Sequence, residues 1–139
     1  MQTAVDSTPS PAAGPTAGPR VLIVDDEDQK RLLIARFLRR TLPGIEIHEC
    51  GGGGEARELL EVAEVDVVLT DNRMPGMSGL ELTRWIRQRK PDLPVVLVTG
   101  HPDIERSARE AGVTKLIDFA RYAEIGQLIT DILQTRKPS

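Results

Sequence analysis

Five short aliphatic runs alternate with segments of helical period along most of the chain. The runs lie at residues 21–24, 45–47, 65–69, 95–98 and 116–117, and polar residues hardly interrupt them. Strands that are covered by helices on both faces have this character, because neither face of such a strand meets water. The pattern therefore predicts five parallel strands, each followed by a helix.

The segments between the runs carry apolar residues at the spacing of amphipathic helices. The predicted helices cover residues 29–40, 55–62, 80–89, 103–110 and 125–133, and 103–110 is the least apolar. Right-handed crossovers place the carboxyl ends of all five strands at one edge of the sheet. We predict an α/β fold with a doubly wound parallel sheet of strand order 2-1-3-4-5.

Residues 1–19 have a different composition from the rest of the chain. Pro, Ala, Gly, Ser and Thr dominate this stretch, which has almost nothing to bury and cannot offset the entropy of ordering. It also lacks the basic start and apolar block of a signal peptide. We therefore predict a disordered leader at 1–19 and one folded domain at 20–136.

Composition narrows the classes of function. The chain has 139 residues, 28% of them charged, and a net charge of -3, which is ordinary for a soluble globular protein. Mild acidity argues against a general nucleic-acid binder, and no apolar run reaches the roughly 18 residues of a membrane helix. The single cysteine, Cys50, cannot form an internal disulfide, which fits a reducing cytoplasm.

Polar residues follow strands that are expected to be neighbours. Asp25 and Asp26 come after the first run, Asp71 after the third, and Thr99 after the fourth. Ligands of open α/β sheets bind beyond these carboxyl ends. A hard cation such as Mg²⁺ would relieve the repulsion between the carboxylates and shield Asp71 as it attacks a phosphoryl group. Thr99 offers a hydroxyl donor to a transferred oxygen.

Taken singly, each of these residues also has a plainer interpretation. An aspartate after a strand is often the N-cap of the next helix, and Asp28 ahead of residues 29–40 fits that role. Asp25 or Asp26 alone is more often a cap or a solvated charge, and Thr99 alone fits a turn.

Two other features suggest little chemistry. The glycine run at 51–54 lacks the remainder of a phosphate-loop motif, so we interpret it as a flexible turn between a strand and a helix. The sequence has no cluster of histidines and cysteines that would suit zinc, and we interpret the isolated His48 and His101 as surface or loop residues.

Three stretches together resemble the receiver domain of two-component response regulators. They read VLIVDDE from residue 21, TDNRMPGMSGLEL from residue 70 and LPVVLVTG from residue 93. The resemblance covers residues 20–136 and implies the flavodoxin-like receiver fold. It also implies that Asp71 accepts a phosphoryl group from a histidine kinase or a phosphotransfer protein, and that Thr99 is the switch hydroxyl.

The resemblance further implies a Mg²⁺ site. Asp26, Asp71 and the backbone carbonyl of Arg73 are the expected direct ligands, and Asp25 holds a water of the ion or orients the pair. The side chains of Arg73 and His101 occupy positions that tune dephosphorylation in the family.

One family feature is missing. Receivers normally carry a lysine at the end of strand 5, paired with the acceptor and the phosphate. Counting forward from the fourth helix puts Phe119 at this position, and counting back from the fifth helix puts Arg121 there. Lys115, the nearest lysine in this stretch, lies about 13 Å away at the wrong end of the strand. We therefore expect Asp71 to lack this cation, with Arg121 a poor substitute, and the switch to be weak or different.

Two hypotheses of different class follow. The first is a phosphoacceptor module that catalyses only its own phosphorylation and dephosphorylation and signals to a downstream protein through residues 101–135. The second is an interaction domain that works without phosphorylation. A metal-dependent phosphatase fits less well, because Arg73 stands where its second acid would be. No output domain follows the fifth helix, so we expect a stand-alone receiver or a piece of a larger regulator or hybrid kinase.

Overall fold

The computed structural model describes residues 18–136, so most of the predicted leader at 1–19 lies outside the described residues. The strands are β1 (Arg20–Val24), β2 (Glu46–Cys50), β3 (Val67–Thr70), β4 (Val95–Thr99) and β5 (Lys115–Asp118). The helices are α1 (Asp28–Thr41), α2 (Gly53–Val62), α3 (Gly79–Arg89), α4 (Glu105–Ala111) and α5 (Ile125–Arg136). Short 3₁₀ helices, Pro102–Ile104 and Phe119–Glu124, precede α4 and α5.

The five strands form one parallel sheet in the order β2-β1-β3-β4-β5. This confirms the predicted strand order and doubly wound architecture. Val24 pairs with Cys50 on one side and with Thr70 on the other, so β1, β2 and β3 end level with one another. The residues that follow these strands therefore lie side by side at one edge.

The core has two layers, one on each face of the sheet. Alternate residues of β1 illustrate the division, since Val21 and Ile23 pack with α1 and α5, whereas Leu22 and Val24 pack with α2 and α3. Strand side chains alternate between faces, so runs of buried aliphatic residues are required wherever both faces are covered. Trp85 of α3 lies on the α2–α3 side, between the guanidinium groups of Arg57 and Arg89.

Some predicted local boundaries were wrong. Asp28 is the first residue of α1, not its N-cap; Glu27 holds the cap position without a side-chain cap bond. The Asp28 carboxylate instead pairs with Arg31, one turn further along the helix. The glycine run is also only partly a turn, because its last two residues open α2.

Among residues 18–136, none of the helices combines the length and apolar character needed to span a bilayer.

Candidate functional site

Backbone hydrogen bonds hold two aspartates at the carboxyl edge of the sheet. The Asp25 N–H donates to the carbonyl of Cys50 at 3.1 Å, and the Asp71 N–H donates to the carbonyl of Val24 at 3.0 Å. These bonds continue the parallel ladders by one residue beyond β1 and β3. Asp25 is 3% exposed and Asp71 is 6% exposed, so both carboxylates are largely removed from water.

The start of α3 closes one side of Asp71. The Gly79 N–H donates to the carbonyl of Asn72 at 2.9 Å, and the Leu80 N–H donates to Asn72 Oδ1 at 3.1 Å. A Cβ atom on Gly79 would lie 2.2 Å from the Asp71 carbonyl oxygen, so only glycine permits this approach. The loop between β3 and α3 is thereby tied to the helix that follows it.

The structure brings together the three predicted acids. Carboxylate oxygens of Asp25, Asp26 and Asp71 lie within 4.8 Å of one another, with Asp26 exposed and the other two buried. Oxygen donors with one open, solvated side suit Mg²⁺, which keeps part of its water shell. Arg73 lies in the loop after β3 with an exposed side chain, and a metal-binding role for its carbonyl stays a prediction.

A lysine from α1 contacts two of these acids. Lys30 Nζ lies 3.4 Å from Asp25 Oδ2 and 3.6 Å from Asp71 Oδ2, and the lysine side chain is 18% exposed. Asp71 therefore has a cation partner, although this partner is not the strand-5 lysine whose absence the sequence predicted. Lys30 lies far from β5 in sequence, in the first turn of α1, so the sequence around strand 5 gives no sign of it.

The charges at this edge influence one another. Burial raises the pKa of the Asp71 carboxyl above its usual range, and Lys30 only partly opposes this effect. Burial lowers the pKa of Lys30, but Asp71 and Asp25 outweigh burial and leave this pKa above its usual value. Lys30 is therefore a cation at neutral pH, and it partly neutralises a pocket rich in negative charge.

An aromatic cluster supports the lysine on its other side. Lys30 Nζ lies 5.0 Å from the centroid of the Phe119 ring, a distance typical of a cation–π contact. Tyr122 stacks on Phe119 with centroids 5.8 Å apart and meets Phe37 of α1 edge to face at 5.5 Å. The residue that stands at one predicted lysine position, Phe119, is thus a contact of the lysine that is present.

The two cations considered for β5 are engaged elsewhere. Arg121 is exposed, and its guanidinium group donates to both Glu124 carboxylate oxygens, at 3.0 and 2.6 Å. Lys115 opens β5 opposite Val96, at the far end of the strand from Asp118, as the strand length predicted.

Thr99 ends β4 with its side chain buried. Its Oγ1 accepts a hydrogen bond from the His101 backbone N–H at 3.0 Å, which fixes the start of the 3₁₀ helix before α4. The His101 side chain is exposed, whereas His48 is half-buried in β2 with Nε2 2.8 Å from Glu46 Oε2. Neither histidine belongs to the acidic cluster; His101 lies in a loop, as the sequence suggested, whereas His48 is part of strand β2.

The family model for the response regulator receiver domain matches residues 21–119. The chain belongs to this family. Its resemblance to solved receivers extends to the whole described fold. A two-component response regulator of the LuxR family from Aurantimonas sp. superposes with a TM-score of 0.78 at 30% identity, over 88% of this chain and 89% of that one.

Curated relatives of this receiver are longer proteins. The cyclic di-GMP phosphodiesterase response regulator RpfG of Xanthomonas campestris is 33% identical over 88% of this chain and 34% of its own length. The DNA-binding transcriptional regulator NtrC of Klebsiella pneumoniae is 41% identical over 60% of this chain and 17% of its own length. The chain thus spans less than half the length of either relative, and both activities belong to those proteins.

Proposed function

We propose that this receiver accepts a phosphoryl group on Asp71 from a histidine kinase or a phosphotransfer protein. The observation that carries the proposal is the arrangement around Asp71, a buried carboxylate flanked by two further aspartates and one lysine. Membership of the receiver family supports the same reaction. In this proposal the receiver acts in the cytoplasm, as its single cysteine indicates, and catalyses only its own phosphorylation and dephosphorylation.

The reaction transfers a phosphoryl group from the imidazole nitrogen of the donor histidine to a carboxylate oxygen of Asp71. One oxygen of the Asp71 carboxylate forms a bond to phosphorus while the P–N bond to the donor imidazole breaks. The bonding electron pair leaves with the imidazole nitrogen, which takes up a proton. Asp71 becomes a mixed anhydride, so it loses its negative charge while the phosphoryl oxygens bring new charge to the same edge.

Mg²⁺ suits the donor set of this site. Asp25, Asp26 and Asp71, together with the Arg73 carbonyl, would hold the ion. When bound, Mg²⁺ supplies charge stabilisation to the oxygens of the transferred group. Lys30 favours the ionised form of the acceptor carboxylate, and the burial of Asp71 limits the access of water to it.

The downstream surface in this proposal is the face formed by α4, β5 and α5, within residues 101–135. Thr99 is its link to the acceptor, because the hydroxyl that holds the His101 N–H lies on the strand next to β3. The α4 part of this face is strongly polar, with four charged residues exposed: Glu105, Arg106, Arg109 and Glu110. A partner would therefore have to be rich in polar and charged groups.

Small-molecule phosphorylation tests the proposal. The chain is incubated with phosphoramidate and Mg²⁺, and its intact mass is measured against an Asp71→Asn control. We expect the wild-type chain to gain one phosphoryl group, the variant to gain none, and the gain to disappear when Mg²⁺ is chelated. A wild-type chain that gains nothing, or a variant that gains as much, would refute the proposal.

The interaction module without phosphorylation is not favoured. Such a domain has no need of a buried acceptor with a paired lysine, and buried charges are costly to retain.

A further inference from the structure

We propose that Lys30 of α1 is the phosphate-binding cation of this receiver and takes the part that a strand-5 lysine has elsewhere in the family. This inference rests on the proposed phosphorylation of Asp71. It assigns a catalytic residue, because Lys30 contacts the carboxylate that reacts.

Lys30 is the cation that the fold brings to Asp71. Among residues 18–136, no other lysine or arginine forms an ion pair with this carboxylate. The two distances from Nζ, to Asp25 Oδ2 and to Asp71 Oδ2, differ by only 0.2 Å (3.4 and 3.6 Å), so the ammonium lies between the acids. A compact ammonium with three donors can serve both carboxylates and a further acceptor.

The position of Lys30 costs folding free energy, which favourable interactions have to offset. It is the third residue of α1, where the partial positive charge of the helix N-terminus repels a cation. The side chain is also largely withdrawn from water, which adds a desolvation cost. Asp25 and Asp71 supply the compensating charge, so the placement is stable only next to the site.

Phe119 explains how a lysine from α1 can occupy this volume. Phe119 stands at one of the two positions where the sequence places the family's lysine, and its ring lies 5.0 Å from Lys30 Nζ. The ring presents its electron-rich face to the ammonium. An aromatic residue at 119 and a lysine at 30 thus belong to one arrangement beside Asp71.

Phosphorylation changes what Lys30 contacts. Once Asp71 is a mixed anhydride, its ion pair with Lys30 is lost and the phosphoryl oxygens become the nearest unpaired anions. The long flexible side chain can keep Asp25 and donate to one of these oxygens. Lys30 therefore stabilises the negative charge of the transferred group, both during transfer and in the product.

The test compares Lys30→Gln with Lys90→Gln, a matched substitution of a part-buried lysine whose Nζ lies 3.7 Å from Glu64 at the other end of α3. Phosphorylation by phosphoramidate is followed by intact mass, and Mg²⁺ binding is measured by calorimetry. We expect Lys30→Gln to slow phosphorylation about tenfold or more, because a hydrogen bond to a charged group is lost. We expect it to bind Mg²⁺ at least as tightly as wild type, because a competing cation is gone. Lys90→Gln should match wild type in both measurements.

Slower phosphorylation together with undiminished Mg²⁺ binding distinguishes a phosphate-binding role of Lys30 from a structural one. If Lys30→Gln loses both phosphorylation and Mg²⁺ binding, the lysine is only structural and the inference fails. If Lys30→Gln is phosphorylated at the wild-type rate, the inference fails while the proposed function stands. If the wild-type chain is never phosphorylated, the proposed function itself fails and the inference falls with it.

A second variant tests whether a lysine at position 119 can replace the lysine at position 30. In Lys30→Gln/Phe119→Lys, the new lysine enters from the strand-5 side, where the Phe119 ring lies. We expect phosphorylation to recover by several-fold over Lys30→Gln, because the site again has a cation at the same place. A double variant that folds, as judged by circular dichroism, and stays as slow as Lys30→Gln would contradict this exchange.

Discussion

Gly79 is the residue whose size most directly controls the geometry at Asp71. Its α-carbon lies so close to the acceptor backbone that a side chain would displace either α3 or the loop that carries Asp71. No flexible side chain can give way on this side, because the nearest contact is a carbonyl oxygen. The position therefore couples the packing of α3 to the backbone of Asp71.

Replacing Gly79 should therefore harm both stability and phosphorylation. We expect Gly79→Ala to lower the free energy of unfolding by about 1–3 kcal/mol, as overpacking of a tight site does. Urea denaturation measures this change, and phosphoramidate labelling measures the accompanying loss of rate. Gly54→Ala in α2 is the control, since a Cβ there meets nothing within 4 Å and should leave stability equal or slightly higher. A stable, fully active Gly79→Ala would show that the loop adjusts freely.

The residues of the acidic cluster could be predicted from sequence, whereas their cation could not. Asp25, Asp26 and Asp71 follow aliphatic runs, and adjacent parallel strands must bring such residues to one edge. Lys30 belongs to a helix, and its direction depends on how α1 leaves β1. The sequence signal is limited to the position of Lys30 in the first turn of the helix that follows the acidic pair.

At the scale of elements, one side-chain hydrogen bond joins the end of β4 to the segment that leads to α4. Thr99 Oγ1 holds the His101 N–H, and this turn sets the start of the 3₁₀ helix Pro102–Ile104. If the hydroxyl turns towards a phosphoryl oxygen, the His101 N–H loses its acceptor. The beginning of the downstream face would then loosen as a direct result of phosphorylation.

Hydrogen exchange can detect this loosening. We expect the His101 amide to exchange a few-fold faster in the phosphorylated receiver, in line with the loss of one ordinary hydrogen bond. In Thr99→Ala the amide should exchange fast in both states, while Asp71 still gains a phosphoryl group. Slower exchange at His101 on phosphorylation would contradict a Thr99 switch of this kind.

The elements themselves followed from hydrophobic pattern, and their ends did not. Five buried aliphatic runs predict five strands regardless of detail, because burial on both faces leaves little choice. Helix ends depend instead on which of several local interactions, such as a cap bond or an ion pair, a side chain forms. Asp28 was predicted as a cap but pairs with Arg31, and two glycines of low helix propensity nevertheless open α2.

For the whole molecule, the acidic edge is a source of instability when no metal is bound. Burial raises the pKa of Asp71, so its ionised form at neutral pH costs folding free energy even with Lys30 beside it. A divalent cation that binds only the folded chain removes this cost and adds its own binding free energy. In the proposed function, the three aspartates thus couple stability to metal binding.

Thermal unfolding tests the coupling. In a chelating buffer at neutral pH we expect Asp71→Asn to unfold at a higher temperature than wild type. Mg²⁺ at about 100 times its dissociation constant should stabilise wild type by about 2.7 kcal/mol and the variant much less. Lys90→Gln again serves as a control that should respond to Mg²⁺ like wild type. An Asp71→Asn chain that is less stable than wild type without metal would contradict the role given to this charge.

The placement of the aromatic residues makes the two faces of the sheet optically distinct. Trp85 is the only tryptophan and lies between two arginines on the α2–α3 side, whereas Tyr122, the only tyrosine, belongs to the cluster under Lys30 on the other side. Tryptophan fluorescence excited at the red edge of the absorption band therefore reports on the α2–α3 layer alone. A change confined to Lys30 and the aromatic cluster on the other face should leave this fluorescence unchanged, which makes Trp85 an internal reference in the unlabelled protein.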